Sequence, residues 1–322
     1  MSHQILTIGA ATRDIFLVSN QFISLANKSF EGGRAECVSL GAKIDVQTFV
    51  ATTGGGATNA AATFRALGFK TAAMCKIGDD SVGKEILAEL RDRRIETAYV
   101  NRIAGGQTAY STLLTMPQGE RTVLVYRGVS ATFKREDIHW SAIRKASWIY
   151  LTSLGGNFEL SKEIIEFAHK HRVHVAWNPG NGELKKGSKA FTPLLAHVDI
   201  FLLNKEEAEL LTGESQTKRQ CKLLAHPEHI RLITNGARGT TVLHGSVSHS
   251  FGTSGAKSIS RTGAGDAFGS GFVAGFLKYK DPVRAARIGT RNAESVIQHY
   301  GAKKGVLQEW PSDASLKKIK AL

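Results

Sequence analysis

The chain has 322 residues, with 42 Lys and Arg against 28 Asp and Glu, a formal net charge of +14. Hydrophobic residues make up 42% and charged residues 22%, a balance that excludes a disordered or fibrous chain and suits one large α/β domain over 1–322. The charge does not single out a nucleic-acid partner: Lys and Arg are spread along the chain, the densest runs (91–94 and 317–320) are short, and no recognition motif accompanies them.

Taken in chain order, short apolar or β-branched runs at 5–9, 71–77, 147–151, 174–177, 200–203, 231–234 and 240–244 predict strands buried on both faces. Helical periodicity predicts helices over 57–67, 82–91, 159–171, 205–211, 216–224, 265–278 and 282–299. This alternation predicts a mostly parallel sheet with helices on both faces. Two stretches break it. Residues of about 15–53 and about 107–127 carry strand-like pieces at 46–50, 110–114 and 122–126 with no helix between, and Pro117-Gln118-Gly119-Glu120 reads as a hairpin turn. They predict a small antiparallel sheet that covers a cleft, pairs with a second subunit, or does both. No apolar window reaches ~18 residues, so no transmembrane helix is expected. The N-terminus shows no basic run of a signal peptide. Cys37, Cys75 and Cys221 are far apart with no CxxC spacing, which fits a reducing, cytoplasmic setting.

Glycine is abundant (33) while proline is scarce (6), so the glycines belong to tight turns and backbone approach to ligands rather than to linkers. The main candidate is Gly263-Ala264-Gly265-Asp266, ahead of a helix striped by Phe268, Phe272 and Phe276. Small residues leave N–H groups uncovered at a helix N-terminus, which favours an anion. A carboxylate beside such a nest needs a task, and accepting a proton from a hydroxyl that attacks phosphorus is one. The same residues also fit a plain glycine-rich turn with Asp as a helix cap. Gly54-Gly55-Gly56-Ala57-Thr58-Asn59 precedes another helix, and Asn59 offers a donor and an acceptor to a hydroxyl pair, or simply caps. Asp14, after the first strand, sits where parallel sheets bind ligands and can accept polyol hydroxyls, or pair with Arg13. Asn204 and Glu207 share a helical face and could hold water around a phosphate-bound Mg²⁺, or form a helix start. Thr234, Gly236 and Gly239 form a turn that is a hairpin signal in itself and could cradle a nucleotide phosphate. Gly78 to Glu85 imitates a P-loop but is rejected, because Glu85 stands where a hydroxyl must meet Mg²⁺ and Asp79-Asp80 would repel phosphates.

Together, Asp14, the GGxxxN element ending at Asn59, the NxxE element Asn204 to Glu207, the turn at Thr234, Gly236 and Gly239 and the GAGD element 263–266 resemble the ribokinase-like (PfkB) carbohydrate kinase family, in family order and over nearly the whole chain. The resemblance implies an α/β three-layer sandwich with a protruding β-sheet lid and an ATP-dependent kinase for a sugar hydroxyl. A nucleoside acceptor on the same fold is the alternative, with Phe16, Phe49, Tyr110 and Tyr126 near the lid to stack a base; a non-catalytic binding regulator is the third. It further implies Asp266 as catalytic base, the backbone of Gly263, Ala264 and Gly265 as anion hole, Asp14, Gly55, Gly56 and Asn59 as substrate contacts, and Asn204, Thr234, Gly236, Gly239 and Asn292 along the nucleotide. Glu207 would hold Mg²⁺ through water. The lid often serves the family as a homodimer interface, and part of the family is activated by a monovalent cation. Three positions depart from the family pattern: Ser260 and Arg261 replace a common Asp-Thr pair, Gly56 replaces the lysine usual in ribokinases, and the first lid segment is long.

Overall fold

A computed structural model describes residues 4–30 and 33–322; residues 1–3 of the N-terminal segment and 31–32 of the first lid segment lie outside the described residues. In chain order the strands are β1 (Ile5–Ile8), β2 (Thr12–Val18), β3 (Ile23–Ala26), β4 (Arg34–Cys37), β5 (Thr48–Gly54), β6 (Thr71–Gly78), β7 (Glu96–Ile103), β8 (Ala109–Thr115), β9 (Arg121–Tyr126), β10 (Trp148–Leu151), β11 (His174–Trp177), β12 (Ile200–Asn204), β13 (Ile230–Thr234), β14 (Thr240–His244) and β15 (Val247–Phe251). The longer helices are α1 (Gly56–Ala66), α2 (Ser81–Asp92), α3 (Phe158–Lys170), α4 (Ser188–Leu195), α5 (Lys205–Thr212), α6 (Thr217–Leu224), α7 (Ala264–Tyr279) and α8 (Pro282–Val296).

Nine strands form the central sheet in the order β15-β14-β13-β12-β11-β10-β1-β6-β7, parallel from β13 through β7 and antiparallel at β14 and β15. Successive strand residues point to opposite faces, so each strand feeds two cores. Leu6, Ile8, Ile149, Leu151, Trp177, Phe201 and Leu203 pack with α3 to α6. Ile5, Tyr150, Ala176, Ile200, Leu202 and Leu232 pack with α1, α7 and α8. Helix α2 completes that second side over Ala73, Cys75 and Ile77. The result is the expected three-layer sandwich.

A second, four-stranded sheet runs β5-β2-β8-β9, and β3 and β4 form a separate ribbon. The small sheet is antiparallel at β2–β5 and β8–β9, as expected, while β2 pairs in parallel with β8. The parallel pair arises because β2 and β8 each leave the central sheet directly, after β1 and β7, and run outward side by side. Strand β2 starts at Thr12, before the predicted segment, and β5 ends at Gly54, just beyond it. The central strands β7 and β15, unmarked by the sequence reading, form the two sheet edges, where polar residues such as Glu96, Asn101, Ser248 and His249 interrupt the apolar pattern.

Candidate active site

Most of the singled-out residues come from the carboxyl ends of the parallel strands, where open α/β sheets bind ligands. Strand β1 leads through Gly9 to Ala11 into β2, which carries Asp14. Asn204 and Thr234 end β12 and β13 and are register partners. Helix α7 starts from Gly263, whose left-handed backbone (φ 79°) needs glycine, as does its packing: a Cβ there would lie 2.2 Å from the Ala302 Cβ. No side chain caps α7, although the Ala264 N–H donates to the Arg261 carbonyl at 3.3 Å. Gly265 is exposed, and a Cβ on it would meet nothing within 4 Å. Protein packing therefore explains Gly263, whereas open space lies above Gly265.

Asp266 stands in the first turn of α7 and accepts a 2.8 Å hydrogen bond from Asn59 Nδ2. Burial pushes its carboxyl up, opposed by that hydrogen bond and by the charge of Lys303. Asn59 Oδ1 and the Tyr150 hydroxyl are buried without partners among the described residues. Buried polar atoms left unpaired are costly, and a ligand hydroxyl would satisfy Asn59 Oδ1. Asp14 is 4% exposed; burial raises its carboxyl to about 6, with Ser111 and Lys303 pulling down and Asp266 pushing up. In the second sheet Thr52, Asp14 and Ser111 are cross-strand neighbours, forming a row of oxygen-bearing side chains.

Packing within the protein also demands the glycine triplet. A Cβ at Gly54 would strike the Asp14 carboxylate, at Gly55 it would lie 2.4 Å from the Ala10 carbonyl oxygen, and at Gly56 2.7 Å from Thr152 Oγ1. These glycines let neighbouring protein segments close on one another and seat Asp14. Close to the triplet stands a buried lysine: Lys303, only 3% exposed, donates to Thr53 Oγ1 at 2.5 Å and sits 3.8 Å from Glu89 Oε2. The Thr53 hydroxyl in turn donates to Glu89. Sequence reading missed Lys303, Glu89, Thr53 and Ser111.

Asn204 and Glu207 form a reciprocal capping box at the start of α5, with Asn204 Oδ1 accepting from Glu207 N at 2.7 Å and Glu207 Oε2 accepting from Asn204 N at 2.8 Å. Burial, with added repulsion from Glu206 and Asp266, raises Glu207, which places its charge within reach of the Asp266 field. The box leaves Asn204 Nδ2 and Glu207 Oε1 for further partners. Among the described residues no cluster of three or more His, Cys, Asp or Glu could hold a metal with protein ligands. That donor set fits an Mg²⁺ bound mainly by phosphates with one carboxylate behind water. The altered pair offers a monovalent cation no carboxylate: the Ser260 hydroxyl accepts from Thr262 N at 3.3 Å, and Arg261 is exposed.

Thr234, Gly236 and Gly239 lie in the β13–β14 hairpin. Gly239 is required by packing against the Phe251 carbonyl, while Gly236 borders open space. Asn292 is corrected: it is fully buried, its amide donates to Thr63 Oγ1 and the Ala267 carbonyl, and its oxygen accepts from Leu307 N. All its polar capacity toward the cleft is spent inside the α1–α7–α8 core. In the rejected P-loop imitation Asp80 caps α2 through Gly83 N and also holds Thr108, while Glu85 pairs with Arg13.

Residues 17–309 match the pfkB family carbohydrate kinase. An Archaeoglobus fulgidus protein described as an uncharacterized sugar kinase is 30% identical over 74% of this chain and 96% of its own length. Staphylococcus aureus ribokinase is 26% identical over 95% and 97%. The solved Burkholderia thailandensis nucleoside kinase in complex with inosine superposes with a TM-score of 0.76 at 18% identity, over 97% of this chain and 96% of that one, a likeness of fold.

Proposed function

This chain belongs to the pfkB family of carbohydrate kinases, and from that membership we propose that it transfers the γ-phosphoryl group of ATP to a hydroxyl of a sugar, with Asp266 as general base. That it is a phosphotransferase acting on an alcohol group, in the sugar or nucleoside kinase class, follows from the family itself. In the proposed mechanism Asp14, with Ser111 and Thr52 beside it, and Asn59 orient the acceptor, while the backbone of Gly55 and Gly56 fixes the loop that carries them. The acceptor oxygen forms its bond to phosphorus as the bond to the leaving ADP breaks, and the hydroxyl proton passes to Asp266. The N–H groups of Gly263, Ala264 and Gly265 and the α7 N-terminus stabilise charge on the transferring oxygens. Mg²⁺, when bound, would neutralise charge on the donor phosphates. Asn204 and Glu207 would position its water, and Thr234, Gly236 and Gly239 would border the nucleotide. The second sheet would act as a lid over a single kinase domain and as the contact for a second copy. The absence of a CxxC pair among the three cysteines fits a reducing compartment such as the cytoplasm.

The single observation that carries this reading is the Asn59–Asp266 hydrogen bond beside the open backbone of Gly265: a base held in place where an anion has room to sit. For the acceptor, Phe16 is fully buried against Tyr300 and offers no face to a base, while Tyr110 is partly buried against the α2 cluster. Phe49 and Tyr126 stay exposed and support the nucleoside alternative. A screen of ATP consumption against sugars and nucleosides, run with Asp266→Asn in parallel, tests both points. We expect saturable turnover with a sugar and a kcat for the variant lower by about 10²–10⁴. Turnover with nucleosides alone would sink the sugar reading, and near-normal turnover by the variant would sink the base.

A further inference from the structure

A cavity of about 410 Å³ lies between the β3–β4 ribbon, the β8–β9 hairpin and the segment ahead of the α7 loop. Three guanidinium groups reach it from three segments: Arg34 of β4, Arg121 of β9 and Arg261. Arg261 is two residues before Gly263. Arg121 and Arg261 are near enough to repel, and burial together with that repulsion lowers the proton affinity of Arg121. Neither makes an ion pair among the described residues, and Arg121 Nε is buried without an acceptor. Arg13, Arg93 and Arg102, by contrast, pair with Glu85, Glu89 and Asp79, although Arg287 Nε is buried without an acceptor as Arg121 Nε is. The cavity also holds two carboxylates. Glu120 is 3.9 Å from Arg34 and offsets that charge, while both carboxylate oxygens of Glu36 are buried without a donor.

Two like charges held together in a partly buried wall are unfavourable unless an anion lies between them, and paired guanidinium forks match phosphoryl oxygens. Arg121 pairs with Thr115, four residues along β8 from Ser111, the neighbour of Asp14. At roughly 3.3 Å per residue the cavity is about 13 Å along the strand from the acceptor site, within the span of a phosphorylated sugar or of a polyphosphate.

We propose that this cavity is a phosphate-binding subsite in which Arg121 of the lid and Arg261 of the α7 loop clamp one phosphoryl group from opposite sides, with Glu36 receiving a hydroxyl of the same ligand. The phosphate belongs either to the donor or to an acceptor already phosphorylated elsewhere. This deepens the kinase reading and rests on it for the choice of ligands, although the clamp itself is a binding property. Arg261, which departs from the family pattern in sequence, thereby acquires a role that depends on the lid being down.

Calorimetric titration of the full chain without turnover tests this, using ADP, D-fructose 6-phosphate and D-fructose as probes and Arg121→Gln and Arg261→Gln as variants. Each variant should weaken one phosphate probe by about tenfold or more, the loss typical of a charged hydrogen bond, and leave D-fructose unchanged. A loss confined to ADP assigns the donor phosphate; a loss confined to D-fructose 6-phosphate assigns a phosphorylated acceptor. If both phosphate probes bind both variants within about twofold of wild type, or neither binds wild type, the proposal is overturned. Arg261→Gln, in an exposed loop, carries the test alone should Arg121→Gln not fold. A kinase with unaltered phosphate binding in the variants removes the subsite only. Arginine-dependent phosphate binding in a chain that transfers nothing removes the kinase reading only.

Discussion

Lys303 concentrates the electrostatics of the site in one side chain. Its ammonium faces Glu89 and Arg93 of α2, Asp14 of β2, Cys75 of β6 and Asp266 of α7, with Thr53 of β5 as its hydrogen-bond partner. Burial lowers it to about 8, Glu89 and Asp14 opposing. Burial alone would raise Glu89, but Lys303, Thr53 and Arg93 hold it below the usual carboxylate range. Asp14, raised to about 6, binds its proton more tightly folded than unfolded, so its contribution to stability falls as pH rises from its ordinary value through about 6. Lys303, depressed to about 8, sheds its proton more readily when folded, so its contribution improves only as pH climbs above about 8. Near neutral pH both charges therefore cost stability, as groups kept for function do. With Asp266 raised, the acid limb of kcat/KM should lie above the ordinary Asp range. Lys303→Met should move that limb up by roughly one unit, because it removes the charge that holds Asp14 and Asp266 ionised. Lys303→Arg should leave the limb near its wild-type position. A pH–rate profile whose acid limb does not move in Lys303→Met, even with a lower kcat, would reduce Lys303 to a packing role. Nothing in Gly301-Ala302-Lys303-Lys304-Gly305 marks this lysine in sequence, since a glycine-flanked Lys pair reads as surface. Its burial arises because Gly301 packs on Thr52 and Ala302 on Gly263.

At the scale of elements, the start of α7 separates two glycines that look alike in sequence. Gly263 is held by its left-handed backbone and by Ala302, and Gly265 by nothing in the protein. Gly263→Ala should therefore lower stability by about 1–3 kcal/mol through backbone strain and the clash. Gly265→Ala should leave the melting temperature unchanged or slightly raised, as Ala is the better helix former by roughly 0.5–1 kcal/mol, while kcat falls because a methyl group enters the space meant for phosphate oxygens. Thermal denaturation beside steady-state kinetics separates the two; a Gly265→Ala enzyme with normal kcat would mean that the loop N–H groups do not meet the phosphoryl group. The GAGD and NxxE elements were legible because each couples a turn residue to a charged residue at fixed spacing. The Gly54 to Gly56 triplet was legible as a turn, but its packing demand was not, because the carbonyl of Ala10 and the side chains of Asp14 and Thr152 that require glycine there come from distant segments. Asn292 misled for the same reason: whether a helical Asn faces a cleft or a helix–helix core depends on how α8 lies against α1 and α7, which no local pattern records.

For the whole molecule, the apolar runs of the seven predicted central strands sufficed for the layered sheet, whereas the polar edge strands β7 and β15 and the parallel β2–β8 pair depend on long-range pairing. The second sheet carries the feature with the largest consequence. Strand β9 forms its outer edge, and Val123, Leu124, Val125 and Tyr126 are 40–56% exposed. An unpaired edge strand with apolar side chains on both faces invites pairing with another chain. A closed two-fold contact between second sheets would cover both β9 edges at once, since a two-fold interface uses the same patch on each copy. We expect light scattering coupled to size exclusion to give about twice the 34.8 kDa of one chain at concentrations on the order of 10 μM, typical of a stable dimer of standard interface size. Leu124→Lys, which places a charge on the edge in the manner of natural edge protection, should shift the protein to monomer while costing no more than about 1 kcal/mol of stability, because an exposed side chain supports little of the fold. Wild type eluting as a monomer throughout that range would show that β9 is not a self-contact. If the dimer forms through β9, the Leu124→Lys monomer should also lose affinity for its acceptor more than for ATP, because β9 and Asp14 share one sheet through β8 and β2.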